Sequence, residues 1–165
     1  MTAKLQGQDE ILVEAPVERL WPIIADSTLL AEWGPPVRAV QIFRESDQGE
    51  GLGSRRRVEA EFDGKRGYYV ERRTEHLEGR KIAYLIEEES FGLFRVMTEP
   101  GFSLELVSVG PGKTRVIFSF LHNPKGLLGH ILNVLVILRQ QRRNRLAALA
   151  SLKLHAEKPD REGER

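Results

Sequence analysis

Hydrophobic positions along the chain repeat at two spacings, and the change from one to the other marks the elements. Residues 10–15 are a short apolar run ending at Pro16, which predicts a strand followed by a helix that accepts proline in its first turn. Val17, Leu20, Trp21, Ile24 and Ala25 then recur at helical spacing. Asp26-Ser27 interrupts them and caps a second short helix, which Gly34-Pro35-Pro36 ends after Trp33. From Val37 the period is two. Residues 37–45, 54–62, 66–77, 80–89, 102–109 and 114–121 each read as a strand, with an irregular stretch at 90–101. Turn signals at 47–51, 63–65, 78–79 and 110–113 join them, and strands joined by short turns make an antiparallel meander.

The last periodic segment predicts one long helix over residues 124–155, with Pro124 near its first turn. Leu128, Ile131, Leu132, Leu135, Leu138, Leu146, Leu149 and Leu152 form one broad stripe, broken around Arg142. Thirty residues of helix reach roughly 45 Å, enough to cross a seven-stranded sheet. Leu127, Val134 and Ile137 lie off the stripe, so the first half is apolar over more than one face. The reading preferred for that second face is a helix end embedded between sheet and helix pair. A homodimer contact ranks next and a peripheral membrane contact, anchored by Arg139, Arg142, Arg143 and Arg145, ranks last.

Composition then narrows the class. A chain of 165 residues can bury a core without disulfides or a structural metal, and one domain over 1–155 with a charged, disordered tail at 156–165 is the expectation. Hydrophobic residues make up 41% and charged residues 30%, the balance of a globular protein. The formal net charge of +1 supplies no whole-molecule field for a polyanion, so nucleic acid is not an expected partner. Charge is nevertheless uneven: residues 139–165 hold eight Lys and Arg against four Asp and Glu, so a mildly acidic body carries a basic end. The absence of cysteine excludes disulfides, thiolate metal sites and a cysteine nucleophile. Residues 1–10 lack the pattern of a secretion signal, and the most apolar stretch, 126–138, is shorter than the roughly twenty residues a bilayer requires, so a cytoplasmic location is expected.

Candidate chemistry is sparse. His76, His122, His130 and His155 show no ligand-like spacing, so no metal and no cofactor is expected. Gly49, Gly51 and Gly53 open a strand instead of a helix, which suits a mobile hairpin and not a phosphate-binding loop. Arg55-Arg56-Arg57 and Arg72-Arg73 are split between two faces by strand alternation, and Glu59, Glu61, Glu71 and Glu75 are placed to pair with them in a solvated ladder.

Strand, two short helices, six antiparallel strands and one long helix form an order that resembles the helix-grip superfamily. This group, also called SRPBCC, includes birch-pollen-allergen-like proteins, START lipid-transfer domains and polyketide cyclase/dehydrase-like proteins. Local segments resemble it too: Ala15-Pro16-Val17-Glu18-Arg19-Leu20-Trp21, Leu30-Ala31-Glu32-Trp33, Gly51-Leu52-Gly53-Ser54, and Thr74-Glu75 ahead of Gly79-Arg80-Lys81-Ile82-Ala83-Tyr84. The resemblance covers about residues 8 to 155 and implies an α+β fold in which a seven-stranded antiparallel sheet wraps the C-terminal helix, leaving an internal cavity.

Such a cavity implies a hydrophobic or aromatic ligand of lipid, quinone or polyketide-like chemistry. If Val58, Ala60 and Phe62 face inward, Arg56 shares their face, and on the next strand either Tyr69, Glu71 and Arg73 or Tyr68, Val70 and Arg72 do; a one-residue slip exchanges the two sets. The candidate ligand-binding residues are Trp33, Tyr69, Glu71, Arg73, Tyr84, Phe102, Phe118 and Phe120, and no residue is assigned as catalytic. The rival reading is a cyclase or dehydratase that shapes a reactive chain with acid/base help; inward ionisable groups in contact would favour it, and a wholly apolar cavity would favour a carrier. A chaperone-associated interaction module, like the Hsp90-activator branch of the superfamily, ranks lower for want of that branch's Gly-Trp segment.

Overall fold

The computed structural model describes residues 2–43 and 50–159. β1 (Lys4–Val13) leads into α1 (Val17–Ala25), a 3-10 turn (Ser27–Leu29) and α2 (Leu30–Trp33). Then follow β2 (Val37–Phe43), β3 (Arg55–Phe62), β4 (Lys65–Leu77), β5 (Lys81–Glu89), a 3-10 turn (Leu93–Arg95), β6 (Met97–Gly110) and β7 (Lys113–Pro124). The chain ends in α3 (Gly126–Leu132), a π-helical segment (Asn133–Ile137) and α4 (Leu138–Ala156). The strands form one seven-stranded antiparallel sheet in the order β1-β7-β6-β5-β4-β3-β2. This is the helix-grip arrangement.

The sequence explains the joints. Pro16 precedes α1 in extended conformation, and the Asp26 carboxylate accepts a hydrogen bond from the Thr28 amide at 2.8 Å to start the 3-10 turn. Asp63 and Gly64 take positive φ angles of 49° and 80°, the pair a two-residue hairpin needs between β3 and β4. The core lies between the sheet and α4: Leu149, Leu152 and Ala156 pack with Leu20, Ile24, Ile82, Leu104 and Val116. Burying these side chains away from water is the main force that seats the helix.

Four expectations are corrected. β1 begins at Lys4 and not at residue 10, because its polar first half is an edge strand paired only with β7. β6 begins at Met97 within the stretch expected to be irregular; a register shift between Thr98 and Gly101, with Glu99 at φ 51°, hides the strand's period. Pro124 closes β7, pairing with Met97, and does not open the helix. The apolar stripe is fully buried only at its end: Leu149 and Leu152 are buried and Leu132 and Leu138 half-buried, whereas Leu128, Ile131, Leu135 and Leu146 are exposed. The predicted strand end at 44–45, Gly49 with most of the turn at 47–51, and tail residues 160–165 lie outside the described residues.

Candidate functional site

Strand register decides which charged groups enter the interior. Arg56 pairs with Glu71, Val58 with Tyr69, and Arg73, Tyr84, Phe102 and Phe120 stand directly opposite one another across β4 to β7. Directly opposed residues share a face, so Tyr69, Glu71 and Arg73 are the inward set of β4. Arg56, Glu71 and Arg73 are buried. The solvated ladder therefore forms without them. On the outer face Arg55 and Arg72 both bond Glu87, at 2.9 and 2.5 Å, and Arg66 bonds Glu61 at 2.8 Å.

Glu71 and Arg56 form the centre of a buried cluster. The Arg56 Nε donates to Glu71 Oε1 at 2.5 Å, its Nη2 contacts the same oxygen, and its Nη1 donates to Ser27 Oγ at 2.8 Å. The guanidinium carbon lies 4.1 Å from the centre of the Tyr84 ring. Burial works against the charge of Arg56, but the Glu71 carboxylate holds its pKa above the usual value. Burial pushes the Glu71 carboxyl up, against the opposing pull of Arg56 and Arg73. Glu71 Oε2 is buried and has no hydrogen-bond partner among the described residues. Burial, reinforced by Glu71, also raises the Tyr69 hydroxyl.

Arg73 has a different task. Its Nη1 donates to the Glu50 carbonyl at 2.8 Å and to His76 Nδ1 at 3.1 Å, and its Nη2 donates to the Ala25 carbonyl at 2.8 Å. Nε and Nη2 both reach the Tyr84 hydroxyl, at 2.9 and 2.5 Å. One fork thus ties β4 to the end of α1, to β5 and to the segment before β3. Since His76 Nδ1 accepts from Arg73, its Nε2–H donates to Glu78 at 3.1 Å. Glu50 completes the junction, accepting from the Ser27 amide at 3.1 Å and from the Ser27 hydroxyl.

The aromatic candidates separate into two groups. Tyr84 stacks on Phe102 with centroids 5.3 Å apart, and Phe102 meets Phe118 edge-on at 5.8 Å; Phe102 and Phe118 are only half-buried and continue the inner face away from the charged cluster, whereas half-buried Tyr69 adjoins it, two residues from Glu71 on the same face. Phe120 is buried at the other side of that row, against His122. Trp33 lies apart from the cluster in the core, its Nε1–H donating to the Ile23 carbonyl at 3.2 Å. Ser27, Glu50 and His76 were not legible as site residues. His76 should face away from Arg73 by simple alternation, and a register shift between Arg73 and Glu75 brings it to the same side. A surface recess of about 260 Å³ beside Val17 and Pro111 shares no residue with this cluster.

The family profile described as polyketide cyclase / dehydrase and lipid transport matches residues 4–157. The chain belongs to this family. As a polyketide cyclase/dehydrase and lipid-transport family member, it is similar in structure to a START superfamily protein from Mycobacterium smegmatis, with a TM-score of 0.74, 16% identity, and 92% of this chain and 97% of that one covered. It is similar to the Zhui aromatase/cyclase from Streptomyces sp. R1128, with a TM-score of 0.75, 18% identity and 95% of each chain covered. A major latex-like protein from Panax ginseng gives a TM-score of 0.68 at 12% identity, with 92% of this chain and 97% of that one covered. At such identities the likeness fixes the fold of the family member and nothing finer. No curated protein matches it in sequence.

Proposed function

We propose that the inner face of the sheet and the C-terminal helix enclose a site for a hydrophobic or aromatic small molecule, of lipid, quinone or polyketide-like chemistry. Glu71 and Arg56 form its polar end and Tyr69, Phe102 and Phe118 its wall. Tyr84 joins the two through its stack on Phe102. Trp33 and Phe120 bound the site from the core, and Arg73 is a positioning residue whose donors are committed to the protein.

The observation that carries this reading is Glu71 Oε2, buried beside partly accessible aromatics and without a hydrogen-bond partner among the described residues. Leaving a buried carboxylate oxygen unmatched is costly, and a ligand hydroxyl would relieve it. A carboxyl whose pKa is raised can also hold its proton and donate to a ligand carbonyl. Inward ionisable groups in contact, Arg56 and Glu71, support a second reading as well: a cyclase or dehydratase that folds a reactive chain against the aromatics, with Glu71 exchanging a proton and Arg56 steadying a developing oxyanion.

Native mass spectrometry of the protein as purified, and after exposure to a panel of lipids, quinones and aromatic polyketides, tests the first reading. One ligand class is expected to remain bound, with Glu71→Gln weakening it about tenfold, the worth of one charge-assisted hydrogen bond. Retention of no class, or equal retention by Glu71→Gln, would overturn the site. Loss of one water from a bound polyketide-like chain, in the wild type but not in Glu71→Gln, identifies the enzyme reading.

A further inference from the structure

The first half of the long helix is apolar on the side the protein leaves uncovered. Leu127 is 80% exposed, Leu128 64%, Val134 65% and Leu135 58%. The fully buried positions of this half are a glycine and a polar residue, with Leu132 and Ile137 only half-buried. A Cβ on Gly129 would meet the Val96 carbonyl oxygen at 2.4 Å, and Asn133 bonds His122 at 2.7 Å. A helix that merely packs on a sheet has the opposite arrangement, with its leucines inward. The π-helical segment adds Val136, 48% exposed, to Val134 and Leu135, so three successive residues meet solvent. A contiguous apolar surface of this kind on a folded protein marks a contact with another apolar phase.

Charge decides between the candidates. The sequence from Leu106 to Ala156 contains no Asp or Glu. The apolar stretch runs directly into Arg139, Arg142 and Arg143, all exposed, and Lys125 is exposed at its other end. A second copy meeting this face about a two-fold axis would set one copy's cations against the other's, whether the helices run parallel or antiparallel, with no carboxylate on the same stretch to answer them. An anionic lipid surface answers both features, taking the leucines at the acyl boundary and the cations at the head groups. Arg142 and Arg143 already touch Asp9 at 3.5 Å and Asp63 at 2.7 Å, but as pairs with exposed arginines, which are weak and exchange readily for lipid phosphate.

We propose that residues 125–143 are a docking surface for an anionic bilayer, lying in the plane of the interface. No helix among the described residues is long and apolar enough to cross a membrane, so the contact is with its surface. The inference stands independently of what the interior binds.

The absence of cysteine makes an introduced thiol a unique labelling site. An environment-sensitive fluorophore on Val134→Cys is expected to shift to the blue with vesicles of phosphatidylcholine and phosphatidylserine, and to revert in high salt. The same label on Glu59→Cys, exposed on β3, should not respond. In co-sedimentation, Leu127→Glu/Leu135→Glu should lower vesicle binding at least about tenfold while far-UV circular dichroism is unchanged, because two exposed apolar contacts are lost and two repulsive charges gained. The proposal fails if the Val134→Cys label does not respond or if the double variant binds as well as wild type. It also fails if light scattering shows a dimer that Leu135→Glu dissolves, in a protein that does not bind vesicles.

Discussion

Arg56 and Glu71 form a pair whose members depend on each other far more than the fold depends on the pair. Both side chains are buried and one carboxylate oxygen takes two guanidinium contacts, so removing one member strands a charge in the interior. Arg56→Met should destabilise the protein by about 3–5 kcal/mol in urea unfolding at neutral pH. Arg56→Met/Glu71→Leu should recover most of that loss, because an apolar pair of similar volume fills the same space. A double variant no more stable than the single would show that the pair is not the source of the cost. The pH dependence has a definite sign. With its folded pKa raised above the ordinary 4.5, Glu71 holds its proton more tightly folded than unfolded, so its contribution falls as pH rises from 4.5 through the raised value. Arg56→Met, which removes the opposing cation, should steepen that fall. The presence of these charges was legible in the sequence, but their side of the sheet was not: Tyr69-Val70-Glu71-Arg72-Arg73 offers two inward sets that differ by one residue. Cross-strand pairing, which a single chain does not print, chose between them.

At the scale of elements, the bend in the logic of the long helix comes from its π-helical segment. Asn133 opens it, and its side chain links His122 on β7 to Gln6 on β1: His122 Nε2 lies 2.7 Å from Asn133 Oδ1, and Asn133 Nδ2 donates to Gln6 at 3.1 Å. A carbonyl oxygen can only accept, so His122 carries its proton on Nε2, and the buried Nδ1 has no partner among the described residues. Burial holds the His122 pKa below 6.5 despite the Asn133 bond. The unfolded chain therefore binds this proton more readily, and stability should decline as pH falls below 6.5 toward the lowered value. Melting temperatures of wild type and His122→Gln, followed from neutral to mildly acidic pH, should converge on acidification as the histidine loses its advantage. Parallel curves would refute the assignment. His130 and Asn133 stand within the apolar stretch 126–138, whose hydropathy does not say which way it faces. Leu128, Ile131 and Leu135 satisfy the helical period equally well outside and inside; the choice was made by Gly129 fitting against Val96 and Asn133 reaching β7. Strands with clean alternation, such as residues 82–86 of β5, were legible, whereas the shifted register near Pro100 concealed the start of β6.

Over the whole molecule, the helix is held by unequal charged contacts near the two ends of the sheet. On β1, the buried Arg145 guanidinium meets Asp9 at 2.8 and 2.7 Å and lies on Gly7, where any Cβ would come within 2.6 Å of Nη2. Gly7 thus gives the Arg145 guanidinium room to lie against β1, at the point where the β1–β7 register shifts, and a side chain there would have to displace it from Asp9. At the β3–β4 turn, the exposed Arg143 meets the exposed Asp63 at 2.7 Å, joined by Gln140 at 3.3 Å. Surface pairs of the second kind are weak, whereas a desolvated pair packed against backbone is costly to break. Asp63→Asn, which tolerates the left-handed turn conformation and removes only the charge, should therefore leave the urea midpoint almost unchanged. Gly7→Val should lower it substantially, and should lower it much less in an Arg145→Ala background, because the clash and the lost ion pair are one event. Hydrogen exchange supplies the spatial readout: amides of α3 and the π-helical segment should exchange faster than those of α4 in the wild type, and Arg145→Ala should erase the difference. Additive effects of Gly7→Val and Arg145→Ala would mean that the glycine serves the strand alone and that the helix is seated by its leucines without help from this contact.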